Sequence, residues 1–200
     1  MRETNGTHAV VRTSSTRQHI LDTARSVFAN QGFGKTSLDQ IATEANVSKM
    51  TIFYHFKNKE ELVVAALDES HSECMRSVLV GLTEHESDKK RLVGALFEVL
   101  EERLSRHELN DIYMRAVAEY GKDDSSIADA IQRHFVEVER TLATLVTDAD
   151  SGDPEEVVPQ LMLILMGIYG LHLNASGPRQ RVPARRMAEA IMSASSALAA

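Results

Sequence analysis

Hydrophobic positions along the chain recur at three- and four-residue spacing almost throughout, and no stretch shows the strict alternation of a half-buried strand. Ile20, Ala24, Val27 and Phe28 mark the buried face of a first helix that starts near Ser15 and ends at Asn30-Gln31-Gly32. Gly32 suits a left-handed C-cap, and Phe33 locks that helix to the next. Residues 1–14 carry no apolar period and read as a mobile tail. Between residues 37 and 59 lie two short helices: Leu38, Ile41, Ala42 and Ala45 line one, and Ile52 with Phe56 repeats the face on the other. The turn between them is Ala45-Asn46-Val47, where Asn46 accepts a left-handed backbone better than most non-glycine residues. Ser37 with Gln40, or Thr36 one residue earlier, caps the first of the pair. Asn58, with Glu61 three residues on, caps the helix that follows.

That fourth helix continues through Leu62, Val63, Ala66, Leu67, Cys74, Val78 and Leu79 until the polar run at residues 83–88. Leu92, Leu96, Val99 and Leu100 mark another helix. Leu109, Ile112, Tyr113, Ala116, Val117 and Tyr120 mark the next, which ends at Gly121. Asp123 or Asp124 caps a further helix whose inner face holds Ile127, Ile131, Phe135, Val138, Leu142 and Leu145. Asp153-Pro154-Glu155-Glu156 reads as cap, first-turn proline and acids at the positive helix end, while Pro159 is placed to kink or restart that helix. A last helix follows Pro183. The pattern predicts an all-α protein of about nine helices, with a tail at 1–14, a three-helix unit at 15–59 and a larger helical unit at 60–200.

The polar pattern matters most on the second helix of the short pair. Its exposed positions are Ser48, Lys49, Met50, Thr51, Phe53, Tyr54 and His55, a set of donors, one cation and flat side chains that suits reading a surface better than solvating one. A helix-turn-helix lays such a helix in the DNA major groove with its N-terminal residues against base edges. An ordinary helical corner is the alternative, since the same geometry occurs without DNA binding.

VSKMTIFYHFKNKEEL at residues 47–62, with TSLDQIATEA at 36–45, resembles the signature of the TetR family of transcriptional regulators, and the likeness covers about residues 15–65. The resemblance implies that Thr51, Phe53, Tyr54, His55 and Lys59 sit at the DNA surface of a double-stranded operator, and that the protein is a homodimer with a small-molecule effector. The exposed helix edge adds Ser48, Lys49 and Met50 to the DNA-facing set, and the hydroxyls at the preceding helix start add Thr36 and Ser37. Met50 stands where the family pattern has glycine, and Phe53 where it has tyrosine. Phe53 therefore lacks the hydroxyl for a phosphate hydrogen bond, while Met50 can touch a thymine methyl.

Charge supports this division. The whole chain carries −7, yet residues 1–59 hold eight Lys/Arg against four Asp/Glu, and the remainder 14 against 25. Because screening confines surface fields to about 10 Å in moderate salt, a basic head can meet phosphate while an acidic body keeps the protein dispersed. The lone cysteine, Cys74, excludes an intramolecular disulfide and fits a reducing cytoplasm, and the apolar run at 161–173 is too short to span a bilayer. His71 and Cys74 are three apart on a helix, but no second pair completes a zinc site. There is no H-E-x-x-H, no phosphate-binding glycine loop and no G-x-S-x-G, so neither catalysis, a metal nor a cofactor is expected.

In the body, Phe97, Tyr113, Met114, Val117, Tyr120, Phe135, Met162, Met166 and Tyr169 lie on helices expected to converge on a pocket for a mostly apolar effector. Residues 161–175 are apolar nearly all round, so that helix requires cover on two sides. Leu161, Leu165 and Ile168, with Met187 and Ile191 on the last helix, are expected at a dimer interface. Gly167 and Gly170 would permit close approach. Two rival readings are a helical enzyme with a vestigial head and a protein-interaction module that uses the helix-turn-helix as a docking surface.

Overall fold

A computed structural model describes residues 5–83, 89–105, 112–122, 125–173 and 183–198. These form helices α1 (Asn5–Gln31), α2 (Leu38–Glu44), α3 (Lys49–His55), α4 (Lys59–Thr83), α5 (Lys89–Ser105), α6 (Ile112–Tyr120), α7 (Ser126–Asp148), α8 (Pro154–Leu173) and α9 (Ala184–Leu198). No strand occurs among the described residues, and none of their helices is long and apolar enough to cross a membrane.

Two apolar cores organise the bundle. The first joins Ile20, Leu21, Ala24 and Phe28 of α1 to Ile41, Ala42, Ala45, Ile52 and Phe56 around the α2–α3 turn, then to Leu62, Val63, Ala66 and Leu67 of α4. Ile112 and Ala116 of α6 and Ile127 and Ile131 of α7 close it from the body side. The second holds Val78 and Leu82 of α4 with Leu96, Phe97 and Leu100 of α5, Leu142 and Val146 of α7, Leu161 of α8 and Ala188 of α9. Helix α4 therefore belongs to both cores.

Local chemistry sets most boundaries. Gly32 ends α1 with φ +84°, and its N–H donates to the Phe28 carbonyl at 2.9 Å. Asn46 takes φ 51° in the α2–α3 turn, as its residue type allows. Ser37 caps α2 by accepting the Gln40 N–H at 3.1 Å, and Asn58 caps α4 by accepting the Glu61 N–H at 2.8 Å. Asp153 receives the Glu155 N–H at 2.9 Å.

Four expectations change. Helix α1 begins at Asn5, so residues 5–14, expected as tail, are helical; an apolar stripe is not required once a packed helix exists, since extension adds a hydrogen bond per residue. Helix α7 is capped by Ser125, which accepts the Ala128 N–H at 3.3 Å, while Asp123 and Asp124 lie outside the described residues. Helix α8 continues through Pro159 and does not restart there, with the proline on its exposed side. Leu79, counted with the apolar positions of α4, is exposed.

Where α4 crosses α7, His134 is buried, and its ring stacks flat on His71 with centroids 4.2 Å apart. His134 Nε2 lies 2.9 Å from Asp68, Arg133 is 3.6 Å from the same carboxylate, and His71 Nε2 lies 2.9 Å from Glu137. Burial first, then the neighbouring His71, hold the His134 imidazole below its ordinary value of 6.5, against the opposing pull of Asp68. The unfolded chain thus binds this proton more readily, so its contribution to stability is present above about pH 6.5 and is lost as pH falls further. The urea midpoint is expected to fall between pH 7 and pH 5.5, and His134→Gln to flatten that slope. In the turn, Asn46→Ala should cost about 1 kcal/mol while Asn46→Gly stays near neutral, read from urea unfolding.

Candidate nucleic-acid interface

With seven residues, α3 is too short to persist alone, so its position comes from its anchors. Ile52 and Phe56 are fully buried on its inner side, each worth roughly 1.5–3 kcal/mol. Ser48 starts the helix: its Oγ accepts the Thr51 N–H at 3.0 Å and lies 2.8 Å from the Thr51 hydroxyl. The Val47 N–H donates to the Ala42 carbonyl at 3.0 Å, and His19 of α1 reaches the Ala45 carbonyl at 3.0 Å, clamping the turn. Arg17 sits 4.8 Å above the Phe56 ring. It therefore braces the C-terminal end of α3 from α1.

Held this way, α3 turns its opposite edge to solvent. Met50 is 75% and Tyr54 76% exposed, and Phe53, Ser48 and Lys49 are exposed beside them. Thr51 and His55 are half-buried at the margin. Burial, then Arg17, lower the His55 pKa, so at neutral pH its imidazole offers a hydrogen bond and no charge. Tyr54 meets that ring edge-on at 5.0 Å. Lys49 Nζ lies 2.8 Å from Asp39 of α2 in an exposed ion pair. Residue-type reasoning did not find Asp39 as its partner, although the short α2–α3 turn brings the two N-terminal turns together.

Flanking this edge, Ser37 is exposed at the start of α2, and its own hydroxyl proton remains available. Lys59, in the first turn of α4, donates to the Phe33 carbonyl at 2.5 Å, which leaves two of the three ammonium N–H groups. Thr36 does not join the set. Its side chain is 2% exposed and its hydroxyl donates to the Gly32 carbonyl at 2.7 Å, so it serves the α1–α2 loop instead of facing outward.

A short helix with an exposed donor-rich edge, seated on a small apolar wedge, is the geometry of a major-groove reading head. The model of bacterial regulatory proteins of the tetR family matches residues 20–66, which contain this wedge and edge. The regulator YvkB of Bacillus subtilis is 31% identical over 172 residues, covering 80% of this chain and 85% of YvkB. The chain belongs to the TetR family. SCO4454, a TetR-family regulator from Streptomyces coelicolor, shares the fold with TM-score 0.82 at 20% identity over 92% of this chain and 97% of its own. A regulator from Saccharomonospora viridis, solved with choline, aligns at TM-score 0.68 and 21% identity over 89% of this chain and 94% of its own. The regulator AcrR of Shigella flexneri is 51% identical over 47 residues only, so the chain spans 22% of the length of that relative.

Outside the TetR head, the residues expected to line one effector pocket divide between the two cores. Tyr113, Val117, Tyr120 and Phe135 pack against the first; Phe97, Met162, Met166 and Tyr169 belong to or pack against the second. The Tyr113 hydroxyl is spent on the Ile131 carbonyl at 2.6 Å. An open cleft of about 320 Å³ lies between α4 and α7, lined by Asn58, Glu60, Glu61, Val64, Ser126, Asp129 and Arg133 and by none of the nine residues expected to line a pocket. Convergence depends on helix crossing angles, which periodicity does not carry.

The dimer residues are corrected similarly. Leu161, Leu165 and Ile168 face the protomer's own core. The opposite side of α8 is exposed instead, with Leu163 73% exposed and nothing within 4 Å of where a Gly167 or Gly170 Cβ would stand. On α9, Met187 is exposed, and Ile191 packs partly against the second core.

Proposed function

We propose that this TetR-family chain is a homodimeric repressor that binds a palindromic operator and is released from it by a mostly apolar small molecule. Residues 15–59 serve as the DNA-binding unit and residues 60–200 as the effector-binding and dimerisation unit. The exposed edge of α3 carries the reading: Met50 and Tyr54 stand in solvent on a helix whose other side is fully buried. Exposing large flat side chains on a rigid mount is costly in water unless a partner covers them. Lys49, Met50 and Thr51 read base edges. Ser37, Ser48, Phe53, Tyr54, His55 and Lys59 meet backbone and sugar.

Two copies would present two such edges. The bare apolar side of α8 at Leu163 and Gly167, together with the exposed Met187 of α9, supports pairing through these two helices. The operator half-sites would then lie near one helical turn, about 34 Å, or a multiple apart. The body supports a small-molecule role through the half-buried Met162, Met166 and Tyr169 at the edge of the second core and through the choline-bearing neighbour of the same fold. The effector acts by binding one head spacing better than the other, with couplings typically about 1–3 kcal/mol.

Selection of bound fragments from genomic DNA is the direct test: enrichment of a palindromic sequence supports the reading, and no enrichment with no salt-sensitive DNA binding overturns it. On the selected fragment, Lys59→Ala should weaken all sequences alike and lower the slope of log affinity against log salt by about 1, whereas Lys49→Ala or Met50→Gly should change the preferred sequence. Leu163→Glu should convert the dimer to a monomer in sedimentation velocity.

A further inference from the structure

The loop between α1 and α2 is gripped by a residue 85 positions away. Glu119, near the C-terminus of α6, accepts the Phe33 N–H on Oε1 at 3.0 Å and the Gly34 N–H on Oε2 at 2.7 Å. Two consecutive backbone donors on one carboxylate fix both the position and the tilt of the loop, because each oxygen has its own partner. The loop is shaped for this approach. Gly32 has φ +84°, and a Cβ there would stand 2.7 Å from Glu119 Oε1, while one on Gly34 would stand 3.3 Å from Oε2. Tyr120, the next residue of α6, sets its ring edge against Phe33 with centroids 5.8 Å apart.

From the other side, Lys59 donates to the carbonyl of that same Phe33. Thr36 closes the loop on Gly32, and Ser37 begins α2 immediately afterwards. One body carboxylate therefore holds the peptide units from which two outward-facing groups of the head, Ser37 and Lys59, take their positions.

We propose that Glu119 is the positioning residue through which the body sets the pose of the DNA-reading head. The proposal rests on the DNA-binding reading above and adds a body residue, remote from α3, that decides how well the heads fit their site. Specific binding requires both heads in register with base edges, whereas non-specific binding needs only cations near phosphates. Loosening the grip should therefore penalise the first and spare the second.

The test compares Glu119→Gln with wild type on a duplex selected from a random library by the wild-type protein, and on a scrambled duplex of equal length and composition. Glutamine keeps the shape but puts an N–H₂ against one of the two N–H donors. The expected result is about a tenfold loss of affinity for the selected duplex, affinity for the scrambled duplex within twofold, and a melting midpoint within about 2 °C. Amide hydrogen exchange should quicken at Phe33 and Gly34. Glu119→Ala should show the same loss of discrimination. Unchanged affinity for the selected duplex, or parallel loss on both duplexes together with a lowered melting midpoint, would overturn the assignment. A wild-type protein that enriches no duplex would instead remove the DNA-binding reading and this inference with it.

Discussion

Helix α4 is the constraint on which everything else depends. Its 25 residues, at 1.5 Å each, span about 37 Å. Leu62, Val63, Ala66 and Leu67 bury one end in the core beneath the reading head, and Val78 and Leu82 bury the other in the core of the body. Between these anchors Arg25 of α1 reaches Ser70 and Glu73, and His71 stacks on His134 of α7. A rod fixed at both ends and braced in the middle cannot tilt at one end alone. A shift of α7 or α5 against α4 would therefore act on the same element that supports α2 and α3.

What the chain revealed in advance was local. A left-handed asparagine, a glycine C-cap and the caps Ser37, Asn58 and Asp153 follow from residue type and its nearest neighbours, and the buried Ile52 and Phe56 follow from helical spacing. What it concealed depended on distant partners. Helix α8 is apolar on all sides, so no stripe in its sequence distinguishes Leu161, which is buried in the core, from Leu163, which stands in solvent. Thr36 and Ser37 are both hydroxyls at a helix start, and only the path of the loop sends one inward to Gly32. Glu119 carries no motif at all. Its meaning appears once α6 is packed beside a loop far upstream.

The electrostatics of the head are also more balanced than its count of cations indicates. Lys49 already has Asp39 as its neighbour and Lys59 already has a carbonyl. An exposed ion pair is worth at most about 1 kcal/mol, so Lys49 can exchange Asp39 for a stronger acceptor at little cost. The pairing keeps the lysine extended along the α2–α3 junction in the meantime. His55, neutral at physiological pH, adds polarity to the same edge without adding to a non-specific attraction for phosphate.

Both α2 and α3 are only seven residues long. Helices of that length have almost no stability of their own in water. An excised recognition segment would be a random coil, and transplanting its side chains onto a longer, self-supporting helix would not reproduce their angle of presentation. Sequence preference in this protein is therefore a property of an entire block, the buried aromatic wedge and its capping hydroxyls included, and re-engineering it means moving that block whole.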